Sequence, residues 1–186
     1  MVEAARRDEL LEATADYLLA NGVASLSLRP LAAAIGSKAR LLVYHFGSRE
    51  RLLIEAMSLI RARARQALQT SMARALRECE TDELIRRLWK WSTSRRNRPY
   101  LRLLFEVHGL ALQDPKQYAG YLRGAIETWI ELVAAALRSR YGPAGAHTVA
   151  TLVVGTIDGL LLDYLFTGNM RRTTKAVDRL AKLLAN

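Results

Sequence analysis

The apolar residues of this chain recur at spacings of three and four along almost its whole length. Leu52, Ala56 and Ile60, for example, fall on one face of a helix. We find no stretch in which apolar and polar residues alternate, as they would in a half-buried β-strand. The chain has 186 residues, of which 51% are hydrophobic, so it is long enough to bury a core. We therefore predict an all-α protein.

Proline and glycine mark the ends of the predicted helices, because proline fits the first helical turn and glycine adopts the left-handed conformation that ends a helix. Asn21-Gly22, Gly36 and Gly142-Pro143 are such signals. The first four predicted helices form a small head and the others a larger body. The prediction is about nine helices, at roughly 3–21, 28–35, 38–45, 49–78, 82–95, 98–112, 115–140, 144–167 and 174–185.

The predicted helices at 28–35 and 38–45 are short and are separated by a turn that contains Gly36. This is the sequence pattern of a helix-turn-helix. Residues 27–51 carry five basic groups and one acidic group, a local net charge of +4. A cationic helix of this size fits the major groove of DNA, where Arg and Lys bond guanine O6 and N7. The pattern favours DNA binding; an ordinary helical hairpin with a cationic surface is the alternative interpretation.

The segment from Gly22 to Leu53 resembles the DNA-binding head of the TetR family of transcriptional regulators. Such heads typically read I-A-x-x-A-G-V-S-x-x-x-L-Y-x-H-F-x-S-K-E-x-L. The matching residues are Leu31, Ala32, Gly36, Leu42, Tyr44, His45, Phe46, Ser48, Arg49, Glu50 and Leu52. The later segments RPYLRLLFEVHGLA, followed by DP, and DGLLLDYLFTG are similar to looser patterns in the body of this family. The resemblance implies a helical regulator that binds double-stranded DNA.

Three positions depart from the family pattern. Lys38 stands where a helix-capping Ser is usual, Arg40 where a small residue is common, and Val43 where Tyr is frequent. We expect Ser37 to cap the second short helix one residue earlier. We expect Arg40 to read a base, because it adds a guanidinium fork to the exposed side of that helix.

The resemblance also suggests roles for neighbouring polar residues. Tyr44, His45 and Arg49 would hold phosphates, and Ser27 and Arg29 would contact the DNA backbone at the start of the preceding helix. The complete predicted DNA-binding set is Ser27, Arg29, Ser37, Lys38, Arg40, Leu41, Val43, Tyr44, His45 and Arg49.

The predicted helix at 144–167 is apolar on nearly every side. A helix without a polar face has to be covered all round, and a partner subunit is the cover we favour; a central helix of a monomer is the alternative. We expect this helix and the last one to form a four-helix bundle with a second copy. A homodimer would place two reading helices about 34–36 Å apart, or a multiple of that, on a pseudo-palindromic operator. The predicted interface residues are Leu152, Val153, Leu160, Leu161, Leu180 and Leu184.

Aromatic and polar residues on several body helices are candidates for a ligand pocket, since pockets between helices are apolar with a few polar groups. Aromatic stripes at helical spacing are more often ordinary core. Asp158 is either a hydrogen-bonded interface residue or a pocket acceptor. The family resemblance favours a pocket without indicating its chemistry. The candidate ligand-binding residues are Trp89, Phe105, His108, Tyr121, Trp129, Asp158 and Tyr164.

The basic excess of the chain lies in its middle. Residues 61–102 carry twelve basic and four acidic groups, whereas residues 1–60 carry seven of each. A solvated helix face and a general attraction to polyanions are both compatible with this run. The composition leaves open whether Arg61, Arg63 and Arg65 contact DNA.

Other classes of function lack support in the sequence. No paired carboxylates, Ser-His-Asp set, phosphate-binding glycine loop or metal-ligand cluster appears, so we expect no enzyme, no metal and no cofactor. The single Cys79 leaves no disulfide framework. The chain begins without a signal-peptide pattern, and Asp158 and Asp163 interrupt its most apolar stretch. We therefore expect a cytoplasmic protein without a membrane partner.

The favoured hypothesis is a homodimeric repressor that a small-molecule effector releases from DNA. Residues 1–50 would form the DNA-binding domain and residues 51–186 the effector-binding and dimerisation domain. The alternatives are the same dimer without a small-molecule effector, or an activator. A helical enzyme and a membrane-surface protein are alternatives of another class. A ligand releases such a repressor by its differential affinity for a dimer whose half-site spacing does not fit DNA.

Overall fold

A computed structural model describes residues 2–23, 26–73 and 80–185, together with all their side chains except those of residues 2, 120, 122 and 123. Cys79 lies outside the described residues. The described residues form helices and turns and no strand, so the all-α prediction is confirmed. The helices are α1 (Val2–Asn21), α2 (Leu28–Ala34), α3 (Ala39–Phe46), α4 (Arg49–Met72), α5 (Thr81–Ser92), α6 (Arg98–Gln113), α7 (Ala119–Ala125), α8 (Glu127–Thr167) and α9 (Met170–Ala185), with a 3-10 turn at Arg95–Asn97.

The region predicted as one helix over 115–140 is built differently. Asp114 accepts hydrogen bonds from the backbone N–H groups of Gln117 and Tyr118 and so holds a turn before α7. A further turn at Ile126 separates α7 from α8. Within α8, Gly142 has a φ of 66°, which interrupts the helix just before Pro143, as the sequence predicted.

The chain is divided into two compact units. The first unit comprises residues 1–64 and 102–124. Its core is apolar and is built from α1, α2, α3, the beginning of α4, and α6 and α7. The largest fully buried side chains of this unit are Leu10, Leu18, Leu31, Leu42, Leu52, Leu53, Met57, Leu103, Val107 and Tyr121.

The second unit comprises residues 65–101 and 125–186. In it, α5 packs against α8 and α9. Ion pairs and hydrogen bonds join these helices: the Arg86 guanidinium pairs with Asp178, and the Tyr141 hydroxyl donates to the carbonyl oxygen of Leu184 at 2.7 Å. Its buried apolar residues include Ile85, Leu88, Val133, Leu137, Val153, Ile157, Leu161 and Val177.

Of the described helices, α8 is the one long and apolar enough to cross a membrane, and most of its apolar window is not buried inside the chain. Two features distinguish it from a spanning helix: the interruption at Gly142, and the carboxylates of Asp158 and Asp163. Each carboxylate would cost about 2.5–3.5 kcal/mol at the centre of a bilayer.

Candidate nucleic-acid interface

The turn between α2 and α3 is set by the glycine that ends α2. Gly36 has a φ of 65°. Its N–H donates to the carbonyl of Ala33 at 3.2 Å, and the N–H of Ser37 donates to that of Ala32 at 2.7 Å. These two bonds are the Schellman arrangement that closes a helix on a left-handed glycine. Helix α2 therefore stops at a defined residue, and α3 starts in a fixed direction.

Helix α3 begins without a side-chain cap. Its N-cap residue is Lys38, whose φ of −116° and ψ of 140° are extended, and no side-chain hydrogen bond closes the first turn. The expectation that Ser37 caps this helix was wrong. Its Oγ is buried and has no hydrogen-bond partner among the described residues. The Schellman bond through the Ser37 N–H turns this residue toward α2 and leaves the capping position to Lys38.

One side of α3 is anchored in the core and the other is open. Leu42 and Phe46 are buried. Lys38, Arg40 and Val43 are exposed, and Leu41 is half-buried. The exposed side therefore carries two cations next to apolar surface, which suits phosphates, base edges and thymine methyl groups.

Tyr44 is the most prominent aromatic group on this side, with 70% of its surface exposed. Its hydroxyl donates to Oε1 of Glu3 in α1 at 2.7 Å. This hydrogen bond and the negative charge of Glu3 raise the pKa of Tyr44 above its usual value. The ring lies edge-on to that of His45, which is half-buried. The contact with Glu3 has no signal in the sequence, because the two residues are 41 positions apart.

The remaining predicted DNA-binding residues differ in how they are held. Ser27 is the N-cap residue of α2, makes no side-chain cap and is exposed, as is Arg29. Arg49 is half-buried: its Nε donates to the carbonyl of Leu26 at 2.8 Å, and its Nη1 pairs with Glu50 at 3.1 Å. Arg49 thus holds the chain that leads into α2.

An open groove of about 640 Å³ runs along the exposed side of α3. It is lined by Gly36, Ser37, Lys38, Arg40, Leu41 and Tyr44, together with Arg6 from α1. Arg6 was missed by the sequence reasoning. Its only signal was the Arg6-Arg7 pair early in a helix assigned to the core, and Arg7 points elsewhere, over the ring of Phe46 at 4.8 Å.

The sequence leaves open whether Arg61, Arg63 and Arg65 of α4 contact DNA. In the structure each of them either contacts other side chains of the protein or is partly buried. Arg63 pairs with Asp16 at 2.8 Å and with Glu12, both in α1. The Arg61 guanidinium lies over the ring of Tyr121, 5.6 Å from its centroid. In Arg65 the Nε atom is buried.

Three predicted ligand-binding residues come together in the first unit. The ring of His108 lies 5.8 Å from that of Tyr121 and 6.2 Å from that of Phe105. Burial, and then the charge of Arg61, lower the pKa of His108 below its usual value, so the imidazole is neutral near pH 7.

The other four candidates belong to the second unit and are spread over it. The ring of Trp129 lies at a tilt to two other aromatic rings, with its centroid 6.2 Å from that of Trp91 and 6.4 Å from that of Tyr100. The indole N–H of Trp89 donates to Oγ1 of Thr174 at 2.9 Å, which fastens α5 to α9. Tyr164 is half-buried on α8.

Asp158 lies in the apolar second segment of α8. Burial raises its pKa to about 6 from the usual 3.8. No hydrogen bond to its side chain is present in the part of the chain that the structure describes. Within the same residues, no three His, Cys, Asp or Glu side chains are grouped so that they could hold a metal ion.

The predicted interface leucines and valine divide into two groups. Val153 and Leu161 are buried inside the second unit, where they contribute to its core. Leu152 is 51% exposed, and Leu160, Leu180 and Leu184 are half-buried. These four residues, with Phe166 and Leu183, which are both exposed on the same two helices, are together named here the α8–α9 apolar surface.

Neither a protein-family model nor a curated protein sequence matches the chain. Solved structures do. A TetR-family transcriptional regulator from Cytophaga hutchinsonii superposes with a TM-score of 0.77 at 15% identity, over 99% of this chain and 96% of that one. A transcriptional regulator from Rhodococcus sp. Rha1 gives 0.74 at 18% identity, over 96% and 95%. The multidrug binding protein EbrR, solved with imidazole, gives 0.66 at 26% identity, over 94% of each chain.

These superpositions extend over nearly the whole chain, so the resemblance noted at the N-terminal segment also holds for the architecture of the body. The chain has the fold of the TetR-family transcriptional regulators.

Proposed function

We propose that the protein is a sequence-specific DNA-binding transcriptional regulator. The observation that carries this proposal is the exposed side of α3, where Lys38, Arg40 and Tyr44 are presented by a helix whose other side is fixed by Leu42 and Phe46. A helix of eight residues with cations on its open side has the size and charge of a major-groove reader. In this proposal residues 1–50 are the DNA-binding domain.

We further propose that the regulator is a homodimer. The α8–α9 apolar surface supports this, because exposed apolar surface of this kind marks an interaction site. The number of bases within reach of one α3 is also small. Two copies related by a two-fold axis would read two half-sites of a pseudo-palindrome. Residues 51–186 then supply dimerisation.

We infer that the protein represses transcription and is released by a small-molecule effector. EbrR, which shares this fold, was solved with imidazole bound. In this chain, the aromatic and polar cluster around His108 is the group of residues that we assign to the effector. We also propose that the protein acts in the cytoplasm and that it is not an enzyme.

The test is selection of bound duplexes from a random DNA library with the full-length protein at two salt concentrations. We expect enrichment of a motif with two-fold symmetry, and the spacing of its halves will report the dimer geometry. Binding that fades as salt rises, with no enriched motif, would mean that only phosphates are contacted and would contradict the proposal.

A further inference from the structure

Arg61 is a partly buried cation that no carboxylate neutralises within the described residues. Its Nη1 atom is buried and makes no hydrogen bond there. The guanidinium faces the ring of Tyr121. A buried charge is costly unless it is paired, and a cation–π contact offsets part of that cost at most. Arg61 therefore retains donors for an anion.

Gly124 leaves space at the side of this guanidinium. A Cβ atom at that position would lie 3.2 Å from Nη2 of Arg61. Any larger residue would press on the guanidinium, so the position of Arg61 beside this residue depends on glycine at 124.

His108 provides a second polar atom in the same cluster. Its Nε2 is buried and, like Nη1 of Arg61, has no hydrogen-bond partner in the described part of the chain. The imidazole contacts the ring of Tyr121, the ring over which Arg61 lies. Buried polar groups in folded proteins are nearly always hydrogen-bonded, so two unsatisfied groups around one ring require an explanation.

The chemistry of the cluster selects one class of ligand. A guanidinium can only donate, and the neutral imidazole of His108 donates from Nε2 in its Nε2–H tautomer, so one acceptor can satisfy both groups, and the charge of Arg61 makes an anion favourable and a cation unfavourable. The ring of Phe105 lies beside His108, and the ring of Tyr121 lies beside both His108 and Arg61, so the donors have aromatic neighbours. The one guanidinium of the cluster can form a pair of hydrogen bonds with one carboxylate, so the ligand needs only one carboxyl group.

We propose that Arg61, His108, Phe105 and Tyr121 bind a small aromatic monocarboxylic acid. The carboxylate accepts hydrogen bonds from the Arg61 guanidinium and from Nε2–H of His108, while the aromatic ring of the ligand contacts Phe105 and Tyr121. This inference rests on the proposed function, because it names the class of the effector.

Isothermal titration calorimetry of the full-length protein tests the proposal with phenylacetate and its neutral analogue phenylacetamide at constant ionic strength. We expect the carboxylate to bind at least about tenfold more tightly than the amide, since only the carboxylate forms charge-assisted hydrogen bonds. Equal affinities, or no binding of phenylacetate, would overturn the proposal.

Arg61→Gln is the decisive variant, and Arg51→Gln is its matched control, because Arg51 is an exposed arginine of the same helix. We expect Arg61→Gln to lose about tenfold or more in phenylacetate affinity and Arg51→Gln to remain within about twofold. Arg61→Gln removes an unpaired buried charge, so its melting temperature should be at least that of the parent protein. If Arg61→Gln binds phenylacetate as tightly as the parent protein does, Arg61 does not bind the carboxylate and the proposal is wrong.

The operator selected from the random library separates this proposal from the proposed function. If a two-fold motif is enriched but phenylacetate does not bind, the effector class is wrong and the regulator stands. If phenylacetate binds through Arg61 and no motif is enriched, the site stands and the DNA-binding proposal fails.

Discussion

Arg40 and Tyr44 are one turn apart on α3, yet the structure holds them in different ways. Arg40 is exposed, whereas Tyr44 is tied to Glu3 of α1 by its hydroxyl. Arg40 is thus available to form a bidentate bond to a guanine, while a phosphate has to compete with Glu3 for the single hydroxyl proton of Tyr44.

We expect Arg40→Ala to reduce the discrimination between operator and scrambled DNA by about 1–3 kcal/mol, the value of one bidentate base contact. Tyr44→Phe should weaken binding to all sequences alike, because it removes a phosphate donor. Competition binding with both duplexes measures the two effects. A uniform loss in both variants would show that Arg40 does not read a base.

Glu3 places a negative charge at the surface that we assign to DNA. We expect Glu3→Gln to increase the affinity for operator and scrambled duplex by a similar factor, because the change removes repulsion of phosphates and weakens the competition for Tyr44. The same measurement on Glu9→Gln, an exposed α1 carboxylate paired with Arg6, serves as a comparison. A loss of affinity in Glu3→Gln would mean that Glu3 holds Tyr44 in its DNA-binding position.

Asp158 should make the folded protein less stable toward unfolding as the pH rises. Its pKa is raised from 3.8 to about 6 in the folded protein. The folded state therefore binds the proton more tightly than the unfolded state, and this contribution to stability is lost as the pH rises through about 6. Above that pH the folded protein carries a buried carboxylate at a cost of up to about 3 kcal/mol.

We expect Asp158→Asn to raise the free energy of unfolding by up to about 3 kcal/mol near pH 8, and by much less near pH 4. Urea denaturation of both proteins at the two pH values measures the difference. Asp163→Asn is the control, because Asp163 is on the same helix but pairs with Arg172 at 2.5 Å and should not gain stability when neutralised. A variant less stable than the parent at pH 8 would show that the Asp158 carboxylate is paired in solution.

At the scale of elements, α3 and α4 begin in contrasting ways. Ser48 caps α4, since its Oγ accepts a hydrogen bond from the Arg51 N–H at 3.1 Å. Lys38 begins α3 without such a bond. An N-cap that accepts from the first turn contributes typically about 1 kcal/mol, so α3 lacks stability that a different residue would supply.

We therefore expect Lys38→Ser to raise the free energy of unfolding by about 0.5–1 kcal/mol and at the same time to weaken DNA binding. The affinity for DNA should then fall less steeply with salt concentration, by the amount expected for the loss of about one phosphate contact. Thermal denaturation and binding titrations over a range of salt test the two parts. Unchanged salt dependence would indicate that Lys38 lies outside the DNA contact surface.

For the molecule as a whole, the main question is what buries the α8–α9 apolar surface. Exposed leucines at single positions are ordinary, but α8 and α9 carry the exposed Leu152, Phe166 and Leu183 together with the three half-buried leucines of this surface. The number of apolar residues that these two helices leave uncovered is the reason that we propose a second copy of the chain as the partner.

We expect Leu152→Glu to shift the protein from dimer to monomer, because the dimer would bury the charge without a partner. Sedimentation velocity measures the shift, and the affinity for a two-half-site operator should fall with it. Leu112→Glu is the matched control, since Leu112 is 77% exposed on α6, outside the α8–α9 apolar surface. A Leu152→Glu protein that remains dimeric would place the interface elsewhere.

The helical class, the helix-turn-helix and the interruption at Gly142 could all be predicted from the sequence. Each of these depends on residues that are close along the chain: the apolar period of a helix, a glycine that ends it, and a proline that opens the next segment. The division of 115–140 into two helices was less predictable: Asp114-Pro115 signals a helix boundary, but the break at Ile126 has no proline to mark it.

Contacts between residues that are distant along the chain could not be predicted in this way. The contact of Tyr44 with Glu3, the position of Arg61 over Tyr121 and the division of the predicted interface into buried and exposed residues all depend on how helices pack. A helical pattern indicates that a side is apolar, but it does not indicate which neighbour covers it. For this reason Arg61 appears in the sequence only as part of a basic run, whereas in the folded chain it lies at the centre of a candidate anion site.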